Sequence, residues 1–555
     1  MNPGAGNMCV LSIRVRAMAA LAIAVTFLLH GAGPLRAGDV ERAIAAQVEL
    51  IAEGAPANVG GVTLANAAFV AELYEIRGFR PIWNTPARRA ELSAQLLAAA
   101  RHGFRPEDFS TGALMELAAV AEAGEPTAIA TFDIAATDAA SRLIHHLYYG
   151  KVDPTKLFSD WAMDGAFQPG QPVAMVNQYL EYATYSALLD DLELTHPIYL
   201  RMTEGLARLE DIAARGGWPE VPDGPALKPG MEDARVPVLR ERLRVSGDYR
   251  GPLSDSLGYD PALVAGVSAF QLRHGLEPDG VIGAKTLRAM NRTVWERIDQ
   301  MRISLERARW TLRGLGSTFV FVNIAGAETF FVRDDAVVWR TRSVVGQAYR
   351  KTPLFQDEIR YIEINPTWTV PRSIFLKDKL PRIREDLGYL ARGRYRVVDP
   401  NGRTLDPSTV NWWTDSPAVT LVQAPGAENA LGLIKFMFPN AHSVYLHDTN
   451  DRGLFSRAER NLSSGCVRIE NPFQLADLLL AGNPNWSTQR RDDILASGKT
   501  TRIDLPRPVE IVLAYYTAWV DETGTIQFRE DVYGRDQAVL AALDGAVQVR
   551  SAGPI

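Results

Sequence analysis

The sequence predicts a multi-domain α+β protein, and three observations carry that expectation. Between about 39 and 217 the apolar residues recur at helical spacing, in Ala- and Leu-rich stretches such as 89–101 and 133–149. A Pro/Gly-rich stretch from Trp218 through Pro225 to Gly230 then breaks the chain. From Ser317 onward the period shifts towards two, in short β-branched and aromatic runs separated by turn residues. With 555 residues, 47% of them hydrophobic and 22% charged, the chain can bury roughly two to four cores. Its formal charge of −6 gives no reason to expect nucleic acid as a partner.

Residues 1–37 read as a signal peptide. Arg14 and Arg16 precede a mostly apolar run, 17–29, followed by small residues and a cleavage site after Ala37. The run is short of the roughly 20 residues that span a bilayer. An uncleaved N-terminal anchor in the inner membrane is the alternative. Cys9 lies upstream of the run and leaves with the signal, so the exported chain keeps one thiol, Cys466.

Residues 38–220 form the expected helical scaffold, punctuated at Gly78, Pro81, Pro106, Gly124 and Pro154. It holds no cluster of chemistry-bearing residues. His145 and His146 are adjacent, so on a helix they point about 100° apart, which suits a solvated or packed pair better than a metal fragment. Past the Pro/Gly boundary, 236–243 and 262–273 read as amphipathic helices. The string from Phe270-Gln271 through His274-Gly275-Leu276 to Asp279-Gly280 and Gly283 leads into a third helix at Ala284. Pro278-Asp279-Gly280 makes a turn and Gly283 ends the loop. A linker helix is expected across 292–316.

The C-terminal half is expected to be mainly β. Strands are expected at 318–323, 329–332 and 336–340, a meander with turns at Ala325-Gly326 and Asp334-Asp335 that ends at Val345-Gly346. Others are expected at 359–364, 442–446 and 509–519, with helices around 472–480 and 536–542, and the chain beyond 535 is expected to be a tail.

A lone thiol in an oxidising compartment is a buried small hydrophobe, half of an intermolecular bridge, or a nucleophile. The Gly before Cys466 and the Arg after it favour the last. A free thiol titrates near about 8.5 and needs a base or cation beside it, usually histidine. Only His442 and His447 lie in this part of the chain, and His447, at the end of an expected strand, is the better base. His442, five residues back and about 16 Å away if the segment is extended, is not expected to reach the thiol as well. The glycine lets the chain turn, so that the Gly465 and Cys466 amides, with Ser464 in support, face a developing oxyanion. Arg468 suits a substrate carboxylate.

His447, a gap, then Ser463-Ser464-Gly465-Cys466-Val467-Arg468 resembles the active-site pattern of the L,D-transpeptidases, the YkuD-type catalytic domain. The resemblance extends to Val345-Gly346, Thr352-Pro353-Leu354-Phe355, Asn365 through Trp368 to Pro371, and Asn471-Pro472. Many members carry histidine where this chain has Ser464, so any role of that histidine is missing here. The segment 226–291 resembles the small three-helix peptidoglycan-binding module found beside cell-wall enzymes. Together with the helical region, the chain resembles the long periplasmic members, in which the insertion at 373–439 implies a capping lid over a catalytic domain at 317–535. Read from its residues alone, that insertion, with Lys377, Lys379, Arg382, Arg384 and Trp412-Trp413, fits a solvated charged helix with two packed tryptophans nearly as well.

The resemblance implies Cys466 as nucleophile and His447 as proton carrier. It also suggests Arg468, Tyr445, Asn471 and Trp368 as substrate-binding residues. The implied reaction joins peptidoglycan stem tetrapeptides, donor and acceptor, in 3→3 crosslinks through a cysteinyl thioester. Water in place of the amine would give an L,D-carboxypeptidase, and an exported protein's amine would attach that protein to the wall. Glycan strands are the module's expected ligand and other cell-wall enzymes are candidate partners. No metal or organic cofactor is implied. A serine transpeptidase is excluded because no lysine has serine three places before it. A papain-like peptidase has the opposite order of cysteine and histidine. A non-catalytic wall-binding scaffold requires the Cys/His pair to be accidental.

Overall fold

The computed structural model describes residues 38–52, 57–159, 161 and 173–546; the expected signal peptide at 1–37 and the last residues lie outside this range. Helices form the first region, packed around α1 (Pro126–Tyr149), which is buried along most of its length. Its small Ala-rich faces let neighbours approach closely. Its buried Asp133 carboxylate takes the Ile82 and Trp83 amides, each at 2.8 Å, and the Tyr74 hydroxyl at 2.5 Å. These bonds fix the entry to the next helix, Pro86–Ala98. His146 is buried against Phe104 and Phe109, a packed residue as expected.

The next region has its own small core, built by Leu239, Leu243, Leu263, Val267, Phe270, Leu287 and Met290 from three helices, Val236–Val245, Pro261–Arg273 and Ala284–Asn291. Gln271 explains the string that follows it. Its amide donates to Asp279 Oδ1 at 2.8 Å and accepts from the Gly280 amide at 2.9 Å, which pins the turn to the helix.

The expected linker helix is instead a core element. Nearly every residue of α2 (Val294–Leu312) is buried, because helix Pro197–Ala214 packs on one side and α3 (Asp536–Asp544) on another. For the same reason residues 536–544 are no free tail: Val539 and Leu543 pack with Trp310 and Ile303.

Nine strands make the principal sheet: β1 (Phe319–Asn323), β2 (Glu328–Arg333), β3 (Ala336–Gly346), β4 (Phe355–Ile364), β5 (Ile434–Met437), β6 (Leu446–His447), β7 (Asn461–Ser463), β8 (Val467–Ile469) and β9 (Thr501–Ala514). Their order is β7-β3-β8-β6-β5-β4-β9-β1-β2, and β2 also pairs with β3, so eight of them close into a ring that leaves few edges. The expected strand at 509–519 is two elements, β9 and Ala518–Val520, with β9 starting earlier, at Thr501. Pro506 and Pro508 cannot donate to the ladder, and the pairing with β4 shifts register between Asp504 and Val509. The expected strand at 442–446 shrinks to β6. Ser443 takes a left-handed φ of 54°, and Asn440 Oδ1 accepts from the His442 and Val444 amides, so the segment turns before it pairs.

The insertion has a compact core of its own, from Val370 and Phe375 to Leu421, under a four-stranded sheet and short helices. Trp412 is buried in it and Trp413 is 75% exposed. The expected boundary at 439 runs too far, because Ile434–Met437 is β5, in the middle of the principal sheet.

Candidate active site

Sheet register assembles the site. Arg502 of β9 lies opposite Glu363 of β4, Glu363 opposite Lys435 of β5, Lys435 opposite His447 of β6, and His447 opposite Arg468 of β8. Opposed residues share a face, so one row of charged and polar side chains crosses five strands. The adjacent row, Ile362, Phe436, Leu446 and Val467, faces the other way and is fully buried in the core. Alternation along each strand thus separates hydrophobic support from chemistry. Cys466 precedes β8 and sits level with Tyr445, two residues along from the His447–Arg468 pair and so on the same face.

The backbone around the thiol is tightly held. Gly465 has a φ of 123°, a conformation that L side chains rarely adopt. Ser463 Oγ donates to the Cys466 carbonyl at 2.6 Å and accepts from the Gly465 amide at 3.1 Å. The Gly465 amide is therefore occupied and does not face an oxyanion in this structure, contrary to expectation. Thr352 Oγ1 donates to the Gly465 carbonyl at 2.8 Å and accepts from the Gly346 amide at 2.9 Å. Tyr533 completes this clamp, donating to the Gly346 carbonyl at 2.6 Å and accepting from the Thr352 amide at 3.1 Å. A side chain at Gly346 would stand 2.2 Å from the Arg350 carbonyl, so only glycine lets the turn fold back here. Ser464 is exposed and its hydroxyl accepts from Arg350 at 3.0 Å. Arg350 also grips Asp378 of the insertion through two bonds, at 2.6 and 2.8 Å, which ties insertion to thiol loop.

The thiol of Cys466 points to the Ser443 carbonyl, 3.8 Å away. Burial pushes it above its ordinary value, while the Tyr445 backbone, Lys435 and Arg468 pull in the other direction. His447 is 4% exposed, and its Nδ1 bonds the Asp448 carbonyl at 2.5 Å. A carbonyl only accepts, so Nδ1 carries the proton and Nε2 keeps its lone pair. Burial, with Arg468 and Lys435 as further causes, pushes His447 down to about 3. The resting pair is thus a neutral thiol and a neutral imidazole. Arg468 Nη1 reaches Thr449 Oγ1 at 3.3 Å, and its Nε is buried without a hydrogen-bond partner. Such a loosely satisfied cation can take a carboxylate.

Of the other expected site residues, Tyr445 lies beside the thiol, with Lys435 Nζ 4.0 Å from its ring centroid. Trp368 instead packs at the base of the insertion, its ring 5.3 Å from Lys379 Nζ and 6.4 Å from Tyr395. Asn471 follows β8 and takes the N-cap position of helix Pro472–Leu479 in a left-handed conformation. His442 is exposed, 5.2 Å from the Phe355 ring. Its segment is turned rather than extended, so the neighbouring Ser443 carbonyl reaches the sulfur. Sequence reasoning missed Lys435, Arg350, Thr352 and Tyr533. Thr352 lay within the quoted resemblance, whereas Lys435 was hidden by the misplaced insertion boundary.

Three regions of the chain match known protein families. Residues 317–489 match the family model described as the L,D-transpeptidase catalytic domain, 68–206 match a scaffold domain, and 232–290 match the "Putative peptidoglycan binding domain". A Haemophilus influenzae protein named "Putative L,D-transpeptidase" is 36% identical over 221 residues, covering 40% of this chain. The match spans 45% of that relative, about half its length. The crystal structure of an L,D-transpeptidase (residues 123–326) from Xylanimonas cellulosilytica aligns over 53% of this chain and 98% of that one at 17% identity. The TM-score of that alignment is 0.16. Residues 317–489 are thus similar to an L,D-transpeptidase catalytic domain, and 232–290 to a peptidoglycan-binding domain that follows a scaffold-like helical region.

Proposed function

We propose that this protein is a peptidoglycan L,D-transpeptidase, exported to the periplasm, that forms 3→3 crosslinks through a thioester on Cys466. The observation that carries the reading is the thiol itself, held by a clamped loop at the end of a charged row that includes His447 and Arg468. In the acylation step the sulfur bonds to the carbonyl carbon of the third stem residue, a diamino acid. The thiol gives up its proton, and His447 Nε2 relays one to the nitrogen of the terminal D-alanine, whose C–N bond breaks. The amine of a neighbouring stem then attacks the thioester and loses its proton to the same nitrogen, which returns it to the sulfur. The His447 tautomer suits both transfers, and a neutral imidazole is ready to accept. Arg468 binds a donor carboxylate, and the peptidoglycan-binding domain holds glycan strands near the site.

Mass spectrometry of the full chain with a tetrapeptide donor tests this. An adduct on the Cys466 peptide, with a crosslinked dimer when an acceptor stem is present, is the expected result. Cys466→Ala should lose both while keeping its fold, since shortening one small side chain costs at most a few kcal/mol. A folded Cys466→Ala protein that still crosslinks would sink the reading. A tripeptide product alone would assign an L,D-carboxypeptidase, and a conjugate with an exported protein would assign wall attachment.

A further inference from the structure

Lys435 stands in the charged row, directly opposite His447 and two strands from Arg468. Its side chain is only 12% exposed, and its ion pair with Glu363 is long, at 3.7 Å. The ammonium is turned along the sheet onto Tyr445, 4.0 Å from the ring centroid, and Tyr445 is level with Cys466. Two cations, Lys435 and Arg468, therefore flank His447 on the face that carries the thiol. An imidazolium between them is repelled from both sides. A negative sulfur is attracted by both.

We infer that Lys435 is the counter-cation of the Cys466 thiolate, and that the thiolate forms against this lysine rather than as an ion pair with His447. The inference rests on the reading of Cys466 as nucleophile and deepens it. The thiol proton leaves to solvent, and the sulfur keeps the electron pair. In acylation the C–S bond forms and the C–N bond breaks. The departing nitrogen takes a proton relayed from solvent by His447 Nε2, so the step is balanced. Lys435 stays protonated throughout. The charged and titratable groups facing this pair are Glu363 and Tyr361 on β4, Arg502 on β9, Tyr445 and His447 at β6, and Arg468 on β8. Among them Glu363 is the anion that competes with the thiolate for the lysine.

The test is the pH dependence of Cys466 alkylation by iodoacetamide in the full chain, read on the Cys466 peptide so that Cys9 does not contribute. Lys435→Met should raise the midpoint by about one unit, an alkylation rate about 10-fold lower at neutral pH. Glu363→Gln should lower the midpoint, because it removes the competing anion. A packing role would shift both variants the same way, and that result, or an unchanged midpoint in Lys435→Met, overturns the inference. Where Lys435→Met does not fold, Glu363→Gln decides: a lowered midpoint supports the inference and an unchanged one overturns it. Alkylation needs no peptide substrate, so absence of a tetrapeptide adduct in the wild type would sink the functional reading without touching this result.

Discussion

Buried charges on α2 and on the principal sheet are satisfied to different degrees. On α2, Arg309 donates to Glu306 at 2.5 and 3.2 Å, to the His102 carbonyl at 3.1 Å and to the Tyr199 hydroxyl at 2.8 Å. Glu306 also accepts from the Val152 amide at 2.7 Å. Nearby, Lys151 reaches Asp108 at 2.6 Å and the carbonyls of Leu543 and Gly545 at 2.5 and 2.9 Å. These bonds join the scaffold, α2 and α3. On the sheet, Arg468 has one bond, of 3.3 Å, and Lys435 one long ion pair. The set formed by Arg309, Glu306 and Lys151 is saturated by protein. Arg468 and Lys435 on the sheet are left with capacity, at a cost in stability that the surrounding core offsets.

The largest effect should come from breaking the saturated set. Glu306→Ala leaves Arg309 buried beside no carboxylate, and about 3–5 kcal/mol of stability should be lost in a denaturant titration. Arg468→Met should cost under about 1 kcal/mol in the same titration, since an under-satisfied charge gives little stability, yet lower tetrapeptide turnover by roughly 100-fold. Equal losses of stability in the two variants would erase the distinction between the regions.

Acid sharpens the comparison. His102, in the scaffold network, and His447, on the sheet, are both pushed down to about 3, chiefly by burial and then by neighbouring arginine. Each stays neutral in the fold while the unfolded chain takes up a proton below about 6.5. Stability is therefore whole above that pH. It falls as pH drops towards 3, by about 1.4 kcal/mol per pH unit for each histidine. His447→Gln and His102→Gln should each flatten this slope by one such increment, read as the unfolding midpoint against pH. A slope unchanged by His447→Gln would mean that the imidazole is protonated in the fold.

The smallest effect concerns the tie between insertion and thiol loop. Asp378 is about a third exposed and its pair with Arg350 is worth about 1 kcal/mol or less. Asp378→Asn should leave the melting temperature within about 2 °C and change acylation by a few-fold. An effect as large as that of Arg468→Met would make Arg350 part of the substrate site.

Much of the site was legible because it is local. Cys466, Gly465 and Arg468 lie within three residues, and the constraints on them, a left-handed glycine and a thiol needing a charged neighbour, act over that distance. The three-helix module was legible for the same reason, since Gln271, Asp279 and Gly280 bond within one turn and loop. The strand at 442–446 was misread because its residues are β-prone while Asn440, through two side-chain bonds, imposes a turn. The 292–316 helix was read as a linker because its Arg and Glu residues look solvated, whereas tertiary partners bury them. Lys435 was lost because it belongs to a four-residue strand after a long insertion, where no periodicity can build up.

The sequence by itself determined the order of the domains and singled out Cys466 and His447 as the candidate pair. Those follow from spacing along the chain, which is covalent. Only the tertiary structure decided which charges are satisfied and which remain available. That depends on the register of five strands drawn from residues 363 to 502, and on helices that meet across more than a hundred residues. Burial and electrostatic coupling depend on distance through space, and folding sets that distance.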